Sequence, residues 1–506
     1  MSTLFIRADV SSNIGIGHVM RCLALAQAWQ ERGGKALFLS CCESDILRQR
    51  IKSEGMDFIP LERHHHDPLD LERTVQAFSK LSARNSEKRN WIVADGYHFD
   101  ATYQKQLKEA GASLLCIDDY GHAGHYYADI VLNQNISADG ALYSHREPYT
   151  QLLLGTRYTL LRREFRNYRN RERKIPEISR NVLVTMGGAD AGNATLKIVR
   201  ALKELDIKDI EAKIILGPAN PNRETIKEEL SLGPSSFHLL PAADNMPGLM
   251  AWADIAVAAG GSTCWEMVFM GLPMAILILA ENQKIIAEHL ASEGVALNLP
   301  WHQEITAHGI AKALKKLMTD RDTRKEMCSK SQVLVDGEGS LRVVKSMSLD
   351  GLVLRPIREQ DCEQIWKWAN DPFARKASFS SSYISWDDHL RWFRSKLQDP
   401  FCLFFLVTDS HQTPVGQVRI EKKEAESRIS VSVDGRFRGY GCGSRMIELA
   451  SHEFFRVSDD KSLHAYVKIE NDISKQVFLN TGFKDQGLTT ISGCSAIHLE
   501  LQKNSE

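Results

Sequence analysis

Residues 13–29, NIGIGHVMRCLALAQAW, set Gly15, Gly17 and His18 between an apolar run, TLFIRADV, and an amphipathic stretch. Two glycines let a backbone approach a phosphate or sugar closely, and a helix starting near His18 aims its free N–H groups at the same place. A histidine in a first helical turn feels the positive end of the dipole, which disfavours the imidazolium. It would stay a neutral base suited to taking a proton from water. The same position suits an exposed or capping histidine without chemistry. Met20 stands where the fingerprint G-x-G-x-x-G needs its third glycine, which argues against an NAD site.

Three further turns offer chemistry. TMGGADAGNATLKIVRAL carries Gly187 and Gly188 between strand-like and helix-like segments, a shape that holds a pyrophosphate on backbone N–H groups or is simply a tight turn. AAGGSTCWEMVFMG places Gly260 and Gly261 before Ser262, Thr263 and Glu266. A carboxylate there can accept both hydroxyls of a ribose, although Thr263-x-x-Glu266 also reads as a capping box. In VSVDGRFRGYGCGSRMIELASHEF, the pattern Arg438-x-x-Gly441-x-Gly443, with Gly439 and Ser444, follows a strand-like run and opens a helix-like one. Asn282 and Gln283 in AENQK, Tyr97 in DGYHFD and Asp118 in CIDDY are further candidates for a cleft. Adjacent histidines in HHHD (64–67) do not easily ligate one ion, so this run reads as a solvated loop, and no metal requirement is expected.

These turns need scaffolds. From 1 to about 160 the runs TLFIRADV, ALFLSC, WIVADG, SLLCIDD and DIVLNQ alternate with helical patterns, as buried parallel strands do. The charged, proline-containing segment 166–180 reads as a linker. The alternation then restarts with NVLVTMGG, EAKIILG, SFHLLPA, DIAVAAGG and PMAILIL, closed by a helical stretch near 305–348. From LDGLVLRPIREQD (349–361) onward the pattern becomes strand, two helices, then FCLFFLVTD, PVGQVRIEK and SRISVSVD as antiparallel-type strands. The expected fold is α/β, two Rossmann-like doubly wound domains (1–165 and 176–345), followed by an α+β domain (350–503).

The totals bound the rest. A chain of 506 residues exceeds one hydrophobic core. Its 63 basic and 64 acidic residues nearly cancel without a basic block, which argues against nucleic-acid or membrane partners. Ten scattered cysteines, with no C-x-x-C pair, read as free thiols in a reducing cytosol. Arg7 and Asp9 interrupt the first apolar run, so it does not read as a signal peptide, and the uncharged apolar run GLPMAILILA is half of what a spanning helix needs. A cytoplasmic protein is expected; its oligomeric state is not legible.

RADVSSNIGIGHVMRCLALAQAW, DGYHFD, IDDY, LLRREF, TMGGAD and AAGGSTCWEMVFMGLP, in this order over about residues 1–345, resemble the UDP-2,4-diacetamido-2,4,6-trideoxy-β-L-altropyranose hydrolases of pseudaminic acid synthesis. Those enzymes resemble the two-domain (GT-B) glycosyltransferases. The resemblance implies His18 as the base that activates water at the anomeric carbon, and a UDP-sugar held by Gly15, Gly17, Arg21, Asp118, Gly187, Gly188, Gly261, Ser262, Thr263, Glu266 and Gln283, with Tyr97 and Asn282 beside the reacting centre. The glycine turn at 438–443 and HAYVKIENDISKQVFLNTGF resemble the GCN5-related N-acetyltransferases. That implies acetyl-CoA as co-substrate, bound by Val431, Val433, Arg438, Gly439, Gly441, Gly443, Ser444 and Asn471. Phe478 departs from the family, which often has near it a tyrosine that protonates the leaving thiolate. Ser474, Tyr466 or a water would have to substitute. A glycosyltransferase, or a sugar-nucleotide-binding module without turnover, are the alternative readings.

Overall fold

The computed structural model describes residues 2–503 apart from 12–13, 63–66, 83–89, 189, 191, 218–219, 241–244, 349–351, 410–411, 424–425 and 440. His64, His65 and His66 therefore lie outside the described residues. The chain divides into two compact units, 1–344 and 345–506. Among the described residues the strands form three sheets of seven, six and seven strands.

The first sheet takes β1 (Thr3–Ala8), β2 (Lys35–Ser40), β3 (Asp57–Pro60), β4 (Trp91–Asp95), β5 (Ser113–Ile117), β6 (Ile130–Asn133) and β7 (Gln151–Leu154), in the order 3-2-1-4-5-6-7. All its pairs are parallel, with Phe5 opposite Leu37 and Ile6 opposite Val93. The second takes β8 (Asn181–Thr185), β9 (Glu211–Ile215), β10 (Phe237–Leu240), β11 (Ile255–Ala259), β12 (Met274–Ile278) and β13 (Ala296–Trp301), in the order 10-9-8-11-12-13, again parallel throughout. β4, β5, β11 and β12 are buried along their whole length, because helices cover both faces; this is why they read as unbroken apolar runs. Strand order reverses between β1 and β4 and between β8 and β11. At such switch points the loops beyond the strand ends diverge and leave room for a ligand. The expected doubly wound pair is present, with β3, β7 and β13 added to the strands read from the sequence.

The third sheet takes β14 (Val353–Pro356), β15 (Cys402–Thr408), β16 (Pro414–Lys423), β17 (Glu426–Val433), β18 (Ser462–Lys468), β19 (Lys484–Ile491) and β20 (Cys494–Gln502), in the order 14-15-16-17-18-20-19. Its pairs are antiparallel except β17 with β18, which are parallel and in register only at Arg428 and His464. Helix Cys442–Val457 covers one face through Met446, Ile447, Ala450 and Phe454. Ile365, Trp368 and Phe393 from two other helices pack on Phe404 and Leu406. All ten cysteines are free thiols, eight of them buried. No helix among the described residues is long and apolar enough to cross a membrane.

Candidate active sites

β1 ends at Ala8, and the chain turns at Gly15, whose φ of +72° lies in the left-handed region that favours glycine, before helix Gly17–Glu31. His18 occupies the first turn. Its Nδ1 lies 2.6 Å from Asp95 Oδ1 at the end of β4, across the first switch point. Arg21, one turn further along the helix, donates from Nε and Nη2 to both Asp95 oxygens at 2.7 Å and from Nη1 to Asp119 at 2.9 Å. Tyr97 O–H donates to Asp119 at 2.7 Å, and Asn135 donates to the same carboxylate at 2.7 Å. Asp95 and Arg21 are buried. Burial opposes the Asp95 charge, but Arg21 and His18 outweigh it and hold the carboxyl below its ordinary value. An ionised Asp95 accepts a hydrogen bond from His18 Nδ1–H, which leaves the Nε2 lone pair of His18 available. The carboxylate that orients the ring was absent from the dipole argument.

Burial and the neighbouring Asp119 push the Tyr97 phenol far up, so it remains a donor. Asn282, in helix Glu281–Ser292 after β12, acts on the same phenol in the opposite sense. The rings of Tyr97 and His18 meet edge to face at 5.2 Å. Residues from both sheets thus meet around His18.

The glycine turns converge as well. A Cβ on Gly17 would stand 3.1 Å from Ser262 Oγ, and one on Gly188 would stand 3.3 Å from the Ile16 nitrogen. Gly187 has φ +81°. The two helix starts of the second sheet differ. Asp190 fills the N-terminus of Ala194–Lys203, accepting from Ala194 N–H at 2.8 Å and Thr195 N–H at 3.0 Å. Helix Thr263–Phe269 follows Gly260 and Gly261 with Ser262 as N-cap and no side-chain cap, so the capping box does not form. Glu266 Oε1 instead accepts from Arg162 Nη2 at 2.9 Å. Burial raises the Glu266 carboxyl above its ordinary value against the pull of Arg162.

Two expectations for this region change. The Asp118 carboxylate is buried in its own loop, where it accepts from the N–H groups of Tyr120 (2.7 Å) and Gly121 (2.6 Å) and from Tyr126 O–H (2.5 Å). Its neighbour Asp119 is the one that joins Arg21 and Tyr97. Gln283 uses its side-chain oxygen on the Leu279 N–H at 3.1 Å, which holds the turn into its helix. Asp95, Asp119 and Arg162 were not picked out from the sequence. A charge closing a fully buried strand was the available signal for Asp95.

In the second unit, β17 runs into a turn in which Gly439 and Gly441 have φ +83° and +78°, and helix Cys442–Val457 starts with no side-chain cap. Ser444 stands in its first turn. Uncapped N–H groups after two left-handed glycines suit a pyrophosphate. Arg438 is pinned, donating from Nε to the Val433 carbonyl at 3.0 Å and pairing with Asp371 at 2.7 Å. A Cβ on Gly443 would meet Val477 and Val433 at ordinary contact distance. Val431 and Val433 pair with β16 on one edge and continue beyond the β17–β18 pairing on the other. Asn471 caps its own helix, accepting from Ser474 N–H at 3.1 Å, so its side-chain oxygen is not free for a coenzyme as expected. Phe478 is buried against Phe483 and has no proton to give. Tyr466 O–H donates to Glu426 at 2.7 Å.

Residues 181–340 match the glycosyltransferase family 28 C-terminal domain, and residues 351–484 match the acetyltransferase (GNAT) domain. Residues 351–484 are a GNAT acetyltransferase domain. An uncharacterized protein of Methanocaldococcus jannaschii is 23% identical over 497 residues, covering 94% of this chain and 95% of the relative, so the similarity runs through the GNAT domain as well. A UDP-2,4-diacetamido-2,4,6-trideoxy-β-L-altropyranose hydrolase of Campylobacter jejuni is 26% identical over 300 residues, covering 58% of this chain and 97% of the relative. A solved structure described as a putative UDP-N-acetylglucosamine 2-epimerase from Listeria monocytogenes superposes with a TM-score of 0.51 at 12% identity, over 69% of this chain and 96% of its own. That likeness bears on the fold alone, a pair of doubly wound sheets of the GT-B type.

Proposed function

We propose that residues 1–345 hydrolyse a UDP-2,4-diacetamido-2,4,6-trideoxyhexose of the altropyranose type to UDP and free sugar, and that residues 350–503 acetylate the 4-amino group of its UDP-linked precursor from acetyl-CoA. The named hydrolase relative supports the substrate, and the GNAT match supports acetyl transfer. The observation that carries the hydrolase chemistry is the His18–Asp95 contact at 2.6 Å, beside glycine turns from both sheets.

His18 Nε2 takes a proton from water, Asp95 stabilises the imidazolium as it forms, and Arg21 holds Asp95 in place. The water oxygen attacks C1 from the face opposite the diphosphate. The C1–O bond breaks with inversion, and its electron pair leaves on UDP. Backbone N–H groups at Gly187–Gly188 and Ser262–Thr263 receive the diphosphate, and the second Glu266 oxygen faces the ribose. Tyr97 and Asn282 hold the sugar against His18. A glycosyltransferase would use the same base on a sugar hydroxyl, and the family 28 match covers the donor half of either enzyme.

Incubating the full chain with the UDP-sugar and no acceptor separates the readings. Release of UDP with free sugar is expected. UDP appearing only on addition of a second sugar marks a transferase, and binding without UDP marks a module.

A further inference from the structure

Glu426 of β17, His464 and Tyr466 of β18 and His498 of β20 share one half-buried face of the GNAT sheet. Their alternating neighbours Ile429, Leu463, Ala465, Val467, Ile497 and Leu499 belong to the apolar core on the other face. His464 Nδ1 lies 3.0 Å from His498 Nε2, and His464 Nε2 lies 2.9 Å from Ser462 Oγ. The His498 ring stacks on Tyr466 at 4.8 Å with 8° between planes. Tyr466 in turn donates to Glu426, which also receives Arg428 Nε at 3.1 Å.

The cluster stands where the sheet forks. β17 and β18 are in register at Arg428 and His464, and β17 then continues through Val431 and Val433 to the glycine turn. A coenzyme whose pyrophosphate sits on that turn and whose arm lies along Val433 and Val431 points its thioester back toward residue 428, about 10 Å up the strand.

We infer that His498 takes the proton from the attacking ammonium in acetyl transfer, with His464 and Ser462 fixing its tautomer. This rests on the reading of β17 and the glycine turn as the acetyl-CoA site. With Ser462 Oγ accepting from His464 Nε2–H, and His464 Nδ1 accepting from His498 Nε2–H, the free lone pair is on His498 Nδ1. That nitrogen has no hydrogen bond among the described residues. Burial, then His464, with Arg428 adding to them, lower His498 below its ordinary value against the opposing pull of Glu426 and Glu500, so it is an unprotonated acceptor near pH 7.

The step balances. R–NH3+ gives one proton to His498 Nδ1, and the freed amine nitrogen attacks the thioester carbon. The C–N bond forms and the C–S bond breaks. The sulfur leaves with its electron pair and takes the second nitrogen proton as CoA thiol, and the imidazolium returns its proton to solvent.

Ligand atoms of Glu426, His464 and His498 within 4.8 Å of one another also have the spacing of a metal site. Arg428, with its guanidinium 3.1 Å from Glu426, opposes a cation there.

The test is acetyl transfer from acetyl-CoA to UDP-4-amino-4,6-dideoxy-N-acetyl-β-L-altrosamine by the full chain, read as CoA thiol between pH 6 and 10. His498→Gln should lower kcat about 10²–10³-fold at pH 7. The deficit should shrink toward pH 10, where the amine deprotonates without help, and KM for acetyl-CoA should stay as in wild type. His464→Gln should give a smaller deficit with the same pH trend. A pH-independent deficit, or none, overturns the inference, as does a rate that EDTA abolishes and zinc(II) restores. If His498→Gln loses acetyl-CoA affinity through misfolding, His464→Gln and its pH trend decide. Failure of wild type to bind acetyl-CoA by calorimetry would instead bring down the underlying coenzyme-site reading.

Discussion

The two imidazoles proposed as bases in this chain are held by partners of different kinds. His18 leans on the buried carboxylate of Asp95, itself clamped by Arg21, whereas His498 leans on a second imidazole, with its flat face on Tyr466. The first arrangement gathers His18 and Arg21 from a helix with Asp95 and Asp119 from the ends of two parallel strands and places their charges out of water, so it exists only when the sheet is complete. The second lies on a half-buried face of adjacent strands and needs no buried ion pair. A buried ion pair is strongly destabilising when one partner is lost, while a neutral hydrogen bond is worth about 1 kcal/mol. The hydrolase centre should therefore couple activity to stability, and the acetyl-transfer centre should not.

The largest effect should come from Gly441→Glu, which places a side chain at φ +78° and a negative charge where backbone N–H groups are proposed to meet a pyrophosphate. Acetyl-CoA turnover should fall more than about 10³-fold, the limit set by lost electrostatic stabilisation, while UDP release from acetylated substrate stays within about twofold. Equal loss of both activities would mean that the centres are not independent.

Asp95→Asn should cost hydrolysis about 10²–10⁴-fold, because an amide neither fixes the reactive tautomer nor stabilises the imidazolium. It also strips Arg21 of one of its two carboxylate partners and should lower the melting temperature. Calorimetry beside the rate assay checks both halves; an unchanged melting temperature would remove the coupling just described. Tyr97→Phe should be milder, about 3–10-fold in KM for the UDP-sugar with the fold intact, since it removes the hydrogen bond to Asp119 but no charge.

The smallest effect concerns acid stability. The Asp118 carboxyl is held at about 2: burial opposes this, but His122, Tyr126 and the loop N–H groups prevail. Its folded value lies below the unfolded value of about 3.9, so its stabilisation is present above about pH 4 and is lost as pH falls through 2. Denaturant unfolding should show about 2 kcal/mol lost between pH 4 and 2 that Asp118→Asn does not lose.

How much of this was legible follows from the same physics. Strands buried on both faces, such as WIVAD and MAILI, announce themselves as apolar runs. β3 and β13 carry Asp57 and Pro60, and Asn298 and Pro300, on short or half-exposed strands, and so escaped. Turn chemistry pointed to His18, Gly188 and Gly441, because glycine at a strand–helix junction has a local meaning. It could not say which of two adjacent aspartates, 118 or 119, turns toward Arg21, since that is settled by the loop they enter. Nor could it separate a ligand-binding amide from a capping one at Gln283 and Asn471, where the same oxygen serves a helix start. The histidine pair on β18 and β20 is 34 residues apart and becomes visible only once the strands are in register.

The central claim, that His18 activates water, is tested most directly by His18→Asn. Its rate of UDP release from the UDP-sugar without acceptor should be measured beside its affinity for UDP. A fall of about 10²–10⁴-fold with UDP binding unchanged is the predicted result. Turnover near that of wild type would contradict it and leave His18 as no more than a first-turn residue.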